Sequence, residues 1–317
     1  MKNPRVELKT VYGEVLVELG ADNPDIFVVE ADLMKASGSK PFLENYPDRH
    51  INVGVAEQNL VGIAAGIAAA GGIPFACTMA NFMAKRACDQ VAMSVAYNMF
   101  NVKLVGCYAG LTQEKNGGTH ISFMDIGVMR SMPGMTVLVP GDSEEFRQAV
   151  RAASVFQGPV YIRMPKLLQG SLPGKTYEFE IGPCYQYGNG NDLTVIATGL
   201  ATDIALDSLQ VLEEAGIAAR VLHVPTIKPL DTESVIRCAR ETRACITIED
   251  HATVGGLGGL IAETLTAACP VPLARIGMQD AFGLTADLEF QLEHFGITAS
   301  HVAAEAIRLL DGRGQNE

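Results

Sequence analysis

The chain has 317 residues, 48% of them hydrophobic and 19% charged, a size that is long for one compact core and suits two α/β domains. Its 36 acidic against 24 basic side chains leave a net charge of −12, which argues against a nucleic-acid partner and still allows a small anionic ligand held by a local basic cluster. The seven cysteines are scattered with no C-x-x-C pair, no run approaches a membrane span, and MKNPRVELKT lacks an apolar signal core, so disulfide, zinc and membrane classes are set aside and a cytoplasmic location is expected.

Residues 10–20 (TVYGEVLVELG) carry apolar positions at helical spacing and predict a helix ending at Gly20. Residues 26–29 then read as a strand running into EADLM, and open α/β sheets present their binding groups at the carboxyl ends of such strands. The stretch 51–72, INVGVAEQNLVGIAAGIAAAGG, begins as a short apolar strand over 51–55 and continues as a helix of small apolar residues. Glu57 stands at the joint. One reading makes it a helix-start acid, favoured there by unpaired N–H groups and the dipole. The other notes that Val53, Val55 and Ile63 leave little room for water, so that the carboxyl would share its proton with a ligand.

Residues 73–78 predict a third strand, followed by a long helical segment through Phe100 and a fourth strand over 101–107. The pattern then breaks into AGLTQEKNGGTH, a polar loop with glycines, long enough to be functional. Asp142 and Glu145 form an N-cap and its box partner opening a helix to Phe156, and 159–163 closes this half as a strand. Residues 166–190, with five glycines and two prolines, predict a connector with one short strand. From Leu193 strands and helices alternate to the C-terminus, which implies a second parallel sheet. VGGLGGL (254–260) opens a helix after a strand, but its spacing fits no phosphate loop and the upstream acids would repel phosphate, so close packing of a helix end is expected.

The stretch 51–72, CTMANF (77–82), NVKLVGCYAGLTQEKNGGTH (101–120) and GPVYIRMPK (158–166) together resemble the pyrimidine-binding half of transketolases. IEDHATVGGLGG and DAFGLT (280–285) resemble the C-terminal domain of transketolases, dehydrogenase E1 β-subunits and deoxyxylulose-phosphate synthases, a domain that is chiefly structural. Order and spacing match over nearly the whole chain, which therefore resembles the C-terminal subunit of a split, two-component transketolase. The resemblance implies an α/β fold of two consecutive domains, each a mostly parallel sheet flanked by helices: a thiamine diphosphate pyrimidine-binding domain over 1–168, a linker over 169–190 and a transketolase C-terminal domain over 191–317. It further implies transfer of a two-carbon ketol unit from a ketose to an aldose. Deoxyxylulose-phosphate synthase-like or E1 β-like chemistry is the alternative within the fold, and a non-catalytic assembly partner the alternative outside it.

By the same resemblance, Glu57 hydrogen-bonds N1′ of the cofactor's aminopyrimidine, Phe82 stacks on that ring, and Asp32 and Leu33 lie near it. His120 contacts substrate hydroxyls and assists proton transfer, while Arg163 and Lys9 hold the substrate phosphate. Tyr108 stands where relatives carry a phosphate-binding histidine, Asn116 where they carry an aspartate that reads a hydroxyl, Lys115 where they carry an acid, and Met79 where they carry a second phenylalanine. These departures imply a sugar other than the usual xylulose 5-phosphate and ribose 5-phosphate pair. The family's GDG…N stretch for the diphosphate and its magnesium or calcium ion is missing, since Gly141-Asp142 is followed by Ser143. The metal site is thus expected on a separate N-terminal subunit, with self-association into a heterotetramer.

Overall fold

A computed structural model describes residues 4–311. The first half supplies β1 (Arg5–Glu7), β2 (Ile26–Glu30), β3 (His50–Asn52), β4 (Ile73–Met79), β5 (Lys103–Cys107), β6 (Thr136–Leu138), β7 (Val160–Met164) and β8 (Leu167–Gln169). The second half adds β9 (Tyr185–Tyr187), β10 (Leu193–Ala197), β11 (Ala219–His223), β12 (Thr226–Lys228), β13 (Ala244–Ala252) and β14 (Leu273–Met278). A seven-stranded sheet runs β12-β6-β7-β5-β4-β2-β3 and a five-stranded sheet β14-β13-β10-β11-β9. Each is parallel except for one antiparallel edge strand, β12 in the first and β9 in the second. The central strands β5, β7 and β10 are buried along their whole length, as strands covered by helices on both faces must be.

The expected two mostly parallel sheets are therefore present, but the second half lends β12 to the edge of the first sheet. Lys228 on β12 donates from Nζ to the carbonyls of Arg130 and Met132 at 3.0 and 2.6 Å, closing the carboxyl end of the helix Asp125–Ser131. Beside it, His223 Nε2 lies 2.9 Å from Glu145 Oε2 with both side chains buried, so the two halves share polar as well as apolar interior.

Several local expectations are corrected. The first helix runs Leu8–Asp22, past Gly20, because Gly20 is there for close approach: a Cβ would lie 2.6 and 2.7 Å from the Tyr46 and Phe42 rings. β3 stops at Asn52, whose Oδ1 accepts from the N–H groups of Asp32 and Gly54, both at 3.0 Å, and the turn at Gly54 (φ 74°) carries Val55 into solvent, 75% exposed. The long helix before β5 breaks into Ala80–Lys85, Cys88–Gln90 and a π-helical turn Val91–Ala96. The cap at Asp142 is as expected: its Oδ1 accepts from Glu145 N at 2.5 Å, and the helix Ser143–Val155 ends before Phe156. The glycine run at 255–259 also packs as expected. Glu249 places its carboxylate on the start of the helix Leu257–Ala268, accepting from Leu257 N and Gly258 N at 2.6 and 2.7 Å, where burial pushes its pKa up to about 7 against those two bonds. The helix end is thereby filled by the protein's own acid.

Candidate active site

The carboxyl ends of β2, β3, β4, β5 and β7 deliver the candidate residues to one edge of the first sheet. Glu57 is the first residue of the helix Glu57–Ala69 and is 2% exposed, with no side-chain cap ahead of it. Arg86 Nη1 reaches both its oxygens, at 3.0 and 2.8 Å. The sequence-based picture of an acid among apolar groups is corrected here: Val55 turns away and a guanidinium supplies a countercharge. Arg86 and Phe82 share a face of the helix Ala80–Lys85 and its continuation at i and i+4, which sets Cζ of the arginine 4.5 Å from the phenyl centroid. Phe82 in turn meets the His120 ring edge-on at 5.3 Å, and His120 Nδ1 lies 2.8 Å from Thr119 Oγ1.

Asn81 anchors the loop from below by donating to the Thr119 carbonyl at 2.6 Å, while its buried Oδ1 has no hydrogen-bond partner among the described residues. Of these groups Asn81, Phe82, Arg86 and Thr119, with Lys85 and Phe282, line a cleft of about 750 Å3. An aromatic face, a buried carboxylate linked to it through Arg86 and an orphaned amide oxygen fit a flat heteroaromatic ring that both accepts and donates hydrogen bonds, as an aminopyrimidine does. Asp32, in a left-handed conformation (φ 60°), accepts from Asn52 Nδ2 at 3.1 Å and so stands beside the turn leading to Glu57; Leu33 opens the next helical turn, Met34–Ser37, half-buried.

The loop after β5 turns at Tyr108 (φ 53°), Gly110 (φ 63°) and Gly117 (φ 72°) around a 3-10 segment Leu111–Asn116, leaving Lys115 and Asn116 exposed. Lys166, just beyond β7, ties it down: its N–H donates to Thr112 Oγ1 at 3.0 Å and its Nζ pairs with Glu114 Oε2 at 2.9 Å. Lys9 pairs with Glu7 at 2.9 Å, and Lys9, Tyr108 and Lys166 line one small recess of about 40 Å3.

Arg163 is not among them. It is 1% exposed, with Nε on Asp125 Oδ2 (2.9 Å), Nη1 on Asp250 Oδ1 (2.6 Å) and Nη2 on the Asp250 carbonyl (3.0 Å), so the expectation that it holds a substrate phosphate is corrected: its fork is spent on two buried carboxylates. The two acids differ. Burial works against the charge on both; Asp125, which also accepts from Ser122 Oγ and Tyr161 Oη at 2.8 Å, is held below the usual carboxylate range by Arg163, whereas Asp250, whose Oδ2 has no partner among the described residues, stays above it. Sequence reasoning missed Arg86, Lys166, Asn81 and Phe282. Of these only Arg86 left a signal, its i+4 spacing from Phe82.

The transketolase pyrimidine-binding domain profile matches residues 5–170 and the transketolase C-terminal domain profile residues 185–302, which defines the class: a thiamine diphosphate enzyme of transketolase architecture. The chain is 43% identical to the 6-deoxy-6-sulfo-D-fructose transketolase subunit of Clostridium sp., over 94% of this chain and 93% of that one. It is 33% identical to an apulose-4-phosphate transketolase subunit of Phocaeicola vulgatus, over 98% and 99%. Among solved structures, a split-gene transketolase described as an inactive β4 tetramer superposes with a TM-score of 0.86 at 38% identity, covering 96% of this chain and 98% of that one. Transketolase of Pichia stipitis shares the fold (TM-score 0.82, 22% identity), this chain spanning 47% of its length. The chain belongs to the transketolase family, as the C-terminal subunit of a split transketolase.

Proposed function

We propose that this subunit joins a separate N-terminal subunit to build a thiamine diphosphate-dependent transketolase whose ketose carries a strongly anionic end, a sulfonate in the first instance. The observation that carries the reading is Glu57, buried and held by Arg86, whose guanidinium lies over the Phe82 ring in the wall of the cleft. The cofactor supplies the electron sink that lets a two-carbon ketol unit leave a ketose and join an aldose. Glu57 holds a proton at N1′ of the aminopyrimidine, for which Arg86, half-exposed, gives way or stays as its counterion. Phe82 offers its face to the ring and Asn81 Oδ1 accepts from the exocyclic amine. With Nδ1 engaged by Thr119, His120 has Nε2 for moving a proton to and from a sugar hydroxyl. Asn116 hydrogen-bonds a ketose hydroxyl; Asp32 and Leu33 border the cofactor. The diphosphate and its magnesium or calcium ion belong to the partner subunit, in a heterotetramer.

The chain by itself is accordingly expected to bind thiamine diphosphate only weakly. Titration calorimetry checks this, and tight magnesium-dependent binding without the N-terminal subunit would place the diphosphate site on this polypeptide instead.

Lys9, Tyr108 and Lys166 take the anionic end, the substrate replacing Glu114 as partner of Lys166. The sulfonate assignment is supported by the 43% identical relative, which is named for a sulfonated ketose. In the reconstituted complex, kcat/KM is expected to be higher for 6-deoxy-6-sulfofructose than for xylulose 5-phosphate. Lys166→Met should raise the KM of the preferred ketose about 10- to 100-fold, the worth of one charged hydrogen bond, with kcat little changed. A panel in which xylulose 5-phosphate ranks first, with Lys166→Met unaltered in KM, removes the substrate assignment.

A further inference from the structure

The segment between β14 and the helix Leu288–His294 belongs to the second half of the chain, yet it is built into the loop that carries His120. Gly118 and Gly283 interlock: a Cβ at Gly118 would lie 2.8 Å from the Gly283 carbonyl oxygen and 3.2 Å from Phe282 Cβ, and one at Gly283 would meet Ile121 at 2.6 Å. Gly117 faces Thr285 so closely that a Cβ there would come within 2.5 Å of its Oγ1. Fully buried Gln291 stitches the other end, donating from Nε2 to the carbonyls of Leu111 (3.4 Å) and Ala286 (3.2 Å) while Oε1 accepts from Leu284 N (3.1 Å).

Bound at both ends, the segment does not bury its largest side chain. Phe282 is 68% exposed, resting only its edge on Phe123 (centroids 5.4 Å apart, planes at 88°), which itself lies under the Lys85 ammonium at 4.9 Å. It lines the same cleft as Phe82, Arg86 and Thr119. A large apolar ring left mostly in solvent, on a segment fastened on both sides of it, offers that surface to whatever enters the cleft, because the core takes up little of it.

We propose that Phe282 is a specificity-determining residue of the ketol transfer: its ring forms the wall against which the C–H face of the ketose packs, so that the C-terminal domain takes part in choosing the substrate. This rests on the functional reading above. Carbon–hydrogen faces of a sugar bury well on an aromatic ring, and the same ring keeps water from the reacting carbons.

The test uses the complex reconstituted with the N-terminal subunit, carrying Phe282→Ser, Phe282→Leu or Gly118→Ala. Because Phe282 is exposed, its two variants should keep the wild-type melting temperature, subunit assembly and thiamine diphosphate affinity by calorimetry, whereas Gly118→Ala, whose Cβ would meet the Gly283 carbonyl oxygen at 2.8 Å, should melt lower. The kcat/KM for the preferred ketose should fall about tenfold for serine, less for leucine, and in the same direction for Gly118→Ala, which pushes the loop off its wall. Unchanged kcat/KM in an intact, cofactor-loaded complex overturns the proposal. Failure of the Phe282 variants to assemble does too, since the ring would then be a subunit contact, as does a selective loss of cofactor affinity. A wild-type complex with no ketol transfer to any donor would instead remove the functional reading itself, and this inference with it.

Discussion

Glu57→Gln is expected to lower ketol transfer by the reconstituted enzyme about 10²- to 10⁴-fold, the usual worth of a positioned acid or base, while leaving the fold intact. The amide keeps the size of the side chain but cannot give up and retake a proton at N1′ of the aminopyrimidine. Stability should hardly move. The side chain left without its carboxylate is Arg86, whose half-exposed guanidinium turns to water, and a partner that accessible contributes little to folding. The direct measurement is hydrogen–deuterium exchange at C2 of the bound cofactor beside a thermal melt. Exchange at the wild-type rate would reduce Glu57 to an acid at a helix start.

Arg163→Met is expected to cost about 3–5 kcal/mol, because it leaves Asp125 and Asp250 buried with no countercharge. The pH dependence gives the mechanism away. In the wild type, Asp125 is held below its unfolded pKa, so its contribution is present above that value and is lost as pH falls through the lower native one. Without the guanidinium both carboxyls should bind protons more tightly folded than unfolded, and stability should then fall as pH rises above about 4. The gap between variant and wild type is thus largest near neutrality and narrows towards pH 4. Denaturant midpoints at pH 4, 5 and 7 check this. A variant as stable as the wild type at pH 7, with a raised KM for the ketose, would return Arg163 to the substrate.

What the sequence determined by itself is local. Apolar periodicity marks β2, β4, β10 and the helix behind Glu57; Asp142 and Glu145 announce their helix through a cap that spans three residues; and the polar break after Cys107 marks the working loop. Each of these signals lies within one turn or one strand of the residue it explains. The resemblance to transketolases implied a shared site for Glu57, Phe82 and His120, and the structure brings Phe82 to both Arg86 and His120. Tertiary structure alone decided partners and burial. Arg163 and Lys166 stand three residues apart at the end of one strand, yet one is sealed between carboxylates from two halves of the chain and the other reaches the recess beside Lys9. Neither outcome can be read from β7, because which groups lie over a strand end depends on the packing of segments nearly ninety residues away, such as that carrying Asp250. The same holds for β12, three residues with no period of their own, and for Phe282, a single apolar residue in a segment without periodicity, which only the docking of the second domain on the loop leaves facing the cleft.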